Sequence, residues 1–105
     1  MSEIARRLLR VLVDEAMAEK QTEVAEDVVG ASAGVTASVI AAANIPTDRY
    51  YGDVLSAALG ELIGKGALVY DYEMTYIMAG RPGRPEAYKI TQRGIDLLRE
   101  AGAGE

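Results

Sequence analysis

Two arginines, Arg81 and Arg84, each stand inside a Gly-Arg-Pro triplet in the run AGRPGRPEAY. A guanidinium is planar and permanently charged, and its fork of donors matches the oxygens of a phosphate. Proline fixes its own φ, so Pro82 and Pro85 stiffen a loop that its glycines would leave loose. Two guanidiniums on a stiff loop suit phosphate contact or entry into a narrow minor groove. A solvated hairpin tip is the plainer reading of the same residues. Lys89 and Arg93 could add phosphate contacts beside the loop, or be ordinary surface charge.

Other chemistries are thinly supplied. The chain has neither Cys nor His. That removes disulfides, thiolate ligands and thiol nucleophiles, and with them the commonest general base. No Gly-rich phosphate loop lies between a strand and a helix, no metal-ligand spacing occurs, and no nucleophile has a base beside it. Glu23, Glu26 and Asp27 could hold a cation loosely, although adjacent acids on a helix are usually just solvated. The expectation is a protein that is not an enzyme and carries no metal or cofactor. The lack of Cys makes a reducing, cytoplasmic location the default, and no apolar run reaches the ~18 residues of a membrane span. Arg6-Arg7 precede LLRVLV, but Arg10 interrupts that run and no small-residue cleavage site follows, so no leader is expected.

Charge narrows the partners. The formal net charge is −5 over 105 residues, and an acidic surface repels a polyanion. The acids are unevenly placed. Asp14, Glu15, Glu19, Glu23, Glu26 and Asp27 face only Lys20. Between Asn44 and Arg93, by contrast, Asp48, Asp53, Glu61, Asp71, Glu73 and Glu86 are matched by Arg49, Lys65, Arg81, Arg84, Lys89 and Arg93. The Arg-bearing half is therefore about neutral, and the negative charge sits elsewhere.

The elements that must position these residues follow from periodicity. Residues 2–19 read as a helix whose apolar residues cover more than the ~100° stripe that one core requires. Leu9, Val13 and Met17 on the surplus arc would meet the same helix of a second chain, forming a homodimer, unless the following segment folds back over them. Thr22 could cap a short helix with Val24, Val28 and Val29 on its buried side, ending at Gly30 or Gly34. Thr36 caps a helix over 37–43, Asn44-Ile45-Pro46 turns, and Thr47 or Asp48 starts a helix running to about Lys65. On that helix Val54, Leu55, Ala58, Leu59, Leu62 and Ile63, with Tyr51, form one apolar side. Arg49, Tyr50, Asp53, Ser56, Ala57, Gly60, Glu61 and Gly64 form the other. Gly52, Ser56, Gly60 and Gly64 recur every fourth residue, although an interior glycine costs about 1 kcal/mol of helix propensity. A DNA strand, a neighbouring helix or the hairpin could need to approach there. Gly66 closes the helix. Leu68, Tyr70, Tyr72, Met74, Tyr76 and Met78 then alternate with Val69, Asp71, Glu73, Thr75 and Ile77, the period of a half-buried strand. A return strand spans 86–90, and Thr91 caps a last helix with Ile95, Leu98 and Ala101 inward. The tyrosine face is either core or contact surface.

The order helix, hairpin, helix over Gly64–Gly94, with a helix-turn-helix before it, resembles the winged-helix domain over roughly residues 35–101. Gly83-Arg84-Pro85, Tyr88, Thr91 and Gly94 resemble the wing and following helix start of PadR-like and MarR-like small regulators. AGRPGRP also has a partial likeness to the Arg-Gly-Arg-Pro core of AT-hook peptides, with Pro82 interrupting the match. The resemblance implies a fold that is mainly α with a β-hairpin wing, a winged helix-turn-helix. It implies a recognition helix over 48–65 with Thr47, Arg49, Tyr50, Asp53 and Ser56 toward the major groove, and wing contacts from Arg81, Arg84 and Lys89. This face departs from the usual reader in offering one Arg beside Asp53 and Glu61.

The sequence therefore leads to three segments: residues 1–34 as helix plus acidic stretch, 35–101 as the winged domain, and 102–105 as a frayed tail. The expected function is double-stranded DNA binding by a dimeric transcriptional regulator. The alternative is a winged-helix protein-interaction module, docking through the tyrosine face or the acidic stretch.

Overall fold

The computed structural model describes residues 1–46, 51–80 and 82–103. Helix α1 spans Glu3–Lys20, and Ser2 caps it by accepting a hydrogen bond from the Ala5 N–H. Glu3 and Lys20 stand at the ends where their charges complement the helix dipole. Ala5, Leu8, Leu9, Leu12, Val13 and Ala16 are all buried, a stripe at helical spacing that forms the spine of a single hydrophobic core. Ile4, Val11 and Met17 flank it, partly buried against the same core.

This arrangement corrects one expectation. Leu9 and Val13 have no accessible surface within the single chain, so they have nothing to offer a second copy. Of the residues assigned to a dimer contact, only Met17 keeps partial exposure. The arc is wide because α1 packs against the helices at Ala37–Ala42 and Tyr51–Gly64, a strand, a 3-10 turn and the last helix of its own chain.

After α1 the expected second helix is replaced by a 3-10 turn at Ala25–Val28 and by strand β1 at Ser32–Thr36. Thr22 does not cap a helix. Its hydroxyl donates to the Asp27 carboxylate at 2.6 Å and accepts from the Val24 N–H, while Lys20 donates to the Asp27 carbonyl. Val28 alone of the three valines is buried; Val24 and Val29 are exposed. In β1 the inward residues are Ala33 and Val35, alternating with part-exposed Ser32, Gly34 and Thr36. The strand crosses the boundary expected at residue 34.

Helix α2, Ala37–Ala42, begins at Thr36 as expected, with the Thr36 side chain accepting from the Val39 N–H. Beyond its far end, the Arg7 guanidinium donates to the carbonyls of Ala43 and Asn44 at 2.8 and 3.0 Å, a cation placed where a helix C-terminus is negative. Helix α3, Tyr51–Gly64, buries Leu55, Ala58, Leu59 and Leu62. Gly66, at φ +74°, closes it.

The long strand expected over 68–78 is not formed. Strand β2 covers only Leu68–Tyr70, and helix α4 follows at Tyr72–Ile77. The Asp71 carboxylate accepts from the Met74 N–H and so caps α4, while the Thr75 hydroxyl accepts from the Ala87 N–H at 2.9 Å. Capping and anchoring side chains thus outweigh the alternating pattern. Strand β3, Gly83–Ile90, is longer than expected because it is the middle strand of a three-stranded antiparallel sheet ordered β1-β3-β2. Helix α5, Gln92–Ala103, starts at Thr91, whose hydroxyl accepts from the Gly94 N–H at 3.0 Å. Ile95 of α5 is buried, with Leu98 and Ala101 part-exposed.

Candidate nucleic-acid interface

The outward side of α3 is the surface that the sequence marks for DNA. Packing of Leu55, Ala58, Leu59 and Leu62 into the core leaves Gly52, Asp53, Ser56, Ala57, Gly60 and Gly64 exposed. Among the described residues, a Cβ added at Gly52, Gly60 or Gly64 would meet nothing within 4 Å. Packing among the described residues therefore does not account for the glycines at this spacing.

Its electrostatics are weak. Asp53 and Ser56 lie exposed on the same helix, one turn apart. The Glu61 carboxylate accepts a 2.8 Å hydrogen bond from the Ser2 N–H, and that bond holds its carboxyl below the usual range. Glu61 is therefore tied to the start of α1 and stays ionised. Thr47, Arg49, Tyr50 and Arg81 lie outside the described residues.

Arg84 belongs to β3. Its neighbour Gly83 pairs with Thr36, and the Pro82 carbonyl accepts from the Ala37 N–H at 3.2 Å. The second Gly-Arg-Pro triplet is thus part of the sheet beside the start of α2, rather than a free hairpin tip. Lys89 is exposed but borders a surface hollow with Tyr70, Asp71, Tyr72, Glu73, Met74 and Ile77. It stands with α4. Arg93 forms a 3.6 Å ion pair with Glu100.

The most conspicuous surface feature lies on the tyrosine face, which the sequence left open as core or contact surface. Tyr72 and Tyr76 are 81% and 84% exposed, and Ile77 is 65% exposed. A tyrosine ladder leads to them from the interior. Buried Tyr88 meets the ring of Tyr70 edge-on at 5.6 Å, and Tyr70 meets Tyr72 edge-on at 5.1 Å. The core reading of the tyrosine face therefore holds for Tyr88 and fails for Tyr72 and Tyr76. The available signal was Asp71 three residues before Met74, with Tyr72 and Tyr76 four apart, a spacing that suits a capped helix turn as well as a strand.

Together these elements make a small, mainly helical domain with a three-stranded antiparallel sheet, a shape broadly compatible with winged-helix folds. Comparison with family models, curated proteins and solved structures finds no match to this chain. Among the described residues no helix is long and apolar enough to cross a membrane.

Proposed function

We propose that this chain is a winged-helix DNA-binding domain acting in transcription regulation. The observation that carries the reading is the uncovered, small-residue side of α3. A helix without bulky outward side chains can bring its backbone close to a duplex. The element order supports it, with α2 and α3 in sequence before the β2–β3 pair. In this reading Thr47, Arg49, Tyr50, Asp53 and Ser56 approach the major groove, and Arg81 with Arg84 neutralises flanking phosphates. The net charge of −5 makes the binding modest at physiological salt and leaves the two arginines a large share of the attraction.

Salt titration tests it. Each neutralised phosphate contributes roughly 0.9 to the slope of log affinity against log salt. Arg81→Ala combined with Arg84→Ala should flatten the slope by about 2. An unchanged slope would remove the arginines from the interface.

A second reading, a protein-docking module, is favoured by the exposure of Tyr72, Tyr76 and Ile77 on α4. Absence of any duplex binding at low salt by the folded chain would decide for it.

A further inference from the structure

Among the described residues, strand β1 is an outer strand, hydrogen-bonded to β3 on one side only. The Ala87 carbonyl accepts from the Asp71 N–H on the β2 side, and the Ile90 N–H donates to Ala31 on the β1 side. Hydrogen bonding alternates along an antiparallel ladder. Tyr88 therefore faces its β1 partner Ala33, while Ser32 and Gly34 turn their backbone N–H and C=O groups away from the sheet. Ser32 and Gly34 are among the residues lining a groove of about 390 Å³. One wall is α1, with Glu15 and Glu19; the other is α4, with Met74 and Ile77. α1 packs on the sheet face that carries Ala33 and Val35. α4 is fastened to the opposite face through Thr75 to Ala87 and Asp71 to Ser32. The groove thus opens along the strand edge between an acidic layer and an apolar layer.

We propose that this edge binds an extended basic segment of another protein by strand addition. Side chains of a strand alternate between its two faces, so an incoming strand would direct every second residue toward Glu15 and Glu19 and the others toward Met74 and Ile77. The matching sequence alternates Lys or Arg with aliphatic residues. Backbone hydrogen bonds to Ser32 and Gly34 supply affinity, and the two walls supply selection. Glu15 and Glu19 make no ion pair within the described residues, so their charge is available to such a partner. A second copy fits poorly, because pairing β1 with β1 would bring two acidic walls together in a chain of net charge −5. The proposal is independent of DNA binding.

The test uses the full chain and a fluorescein-labelled octapeptide of four Lys-Val repeats. Saturable binding is expected, with the largest amide shifts at Ser32 and Gly34 in nitrogen-15 NMR spectra. Glu15→Gln with Glu19→Gln, both at exposed positions, should weaken binding about fivefold, the scale of two exposed charge pairs. A peptide N-methylated at alternate residues should lose at least about tenfold, since it lacks the edge donors. Several outcomes would each overturn the proposal: no saturable binding by the folded chain, equal binding of a Glu-Val octapeptide, shifts confined to Tyr72 and Tyr76, or a self-paired dimer in sedimentation that the peptide leaves intact.

Discussion

Thr91 and Gly94 act as one device at the point where three elements meet. The Thr91 hydroxyl accepts from the Gly94 N–H and lies 2.6 and 2.9 Å from the carbonyls of Gly66 and Ala67, fixing the start of α5 to the link between α3 and β2. A Cβ at Gly94 would come within 2.6 Å of the Ala67 carbonyl oxygen, backbone that cannot step aside as a side chain can. Gly94→Ala should therefore destabilise the fold by about 2 kcal/mol, read as a lower denaturant midpoint at unchanged slope. Asp71 is the second such residue. The Ser32 hydroxyl and then the Met74 N–H donate to its carboxylate, and they hold its pKa below the ordinary 3.8. A depressed acid adds stability that is complete above the unfolded value and is lost as pH falls through the folded one. Acidification below pH 3.8 should therefore loosen α4 and raise amide exchange at Met74. In Asp71→Asn, which keeps a capping oxygen but no titrating carboxyl, this acid dependence should disappear. Persistence in the variant would show that another group controls α4.

At the scale of elements, α1 is an internal beam. Leu9→Glu or Val13→Glu places a carboxylate in fully buried space, where an unpaired charge is strongly unfavourable. Both variants should lose the folded far-ultraviolet circular dichroism signal rather than change oligomeric state. A folded variant of altered mass would restore the dimer contact. α4 behaves in the opposite way, since none of its residues is buried and it is held by Asp71 and Thr75. Replacing Tyr72 and Tyr76 together by Ser should cost no more than about 1.5 kcal/mol, mostly the Tyr70–Tyr72 ring contact, while removing any partner that docks on them. A large loss of stability would mean that the two rings brace the fold. The pattern over 68–78 was legible as amphipathic but not as helix, because both periods fit so short a run and the choice rests on Asp71, Thr75 and their sheet partners.

For the molecule as a whole, the radius of gyration of 12.8 Å equals the roughly 13 Å of a compact chain of this length. The accessible surface of 5979 Å² is close to the roughly 5,700 Å² expected of a monomer of its mass. These are the dimensions of a compact single chain, and the interaction surfaces proposed for it are local: the side of α3, the rings on α4 and the edge of β1. Charge distinguishes them. A duplex must be met against the overall negative field, so its binding should rest on Arg81 and Arg84 and fall with salt at a log–log slope of only about 2, whereas a basic peptide is drawn toward the acidic wall of α1. The two affinities should respond differently to Glu15→Gln with Glu19→Gln. Peptide binding falls, and duplex binding stays level or rises as repulsion is reduced.

The sequence by itself made α1, α2, α3 and α5 legible, but not α4. The stripe of α1, the Thr36 and Thr91 caps, the Gly66 stop and the buried face of α3 are governed by contacts within a few residues of each other, and local spacing is enough to read them. Tertiary structure decided the rest. β1 is a short run of small residues that becomes a strand because β3 lies beside it. Leu9 and Val13 are internal because α2, α3, β1 and α5 all converge on α1. Tyr72 and Tyr76 point outward because a carboxylate and a hydroxyl bind groups on other strands, with Asp71 reaching Ser32, 39 positions away, and Thr75 reaching Ala87, 12 away. Interactions between residues so far apart leave no periodic mark on the chain.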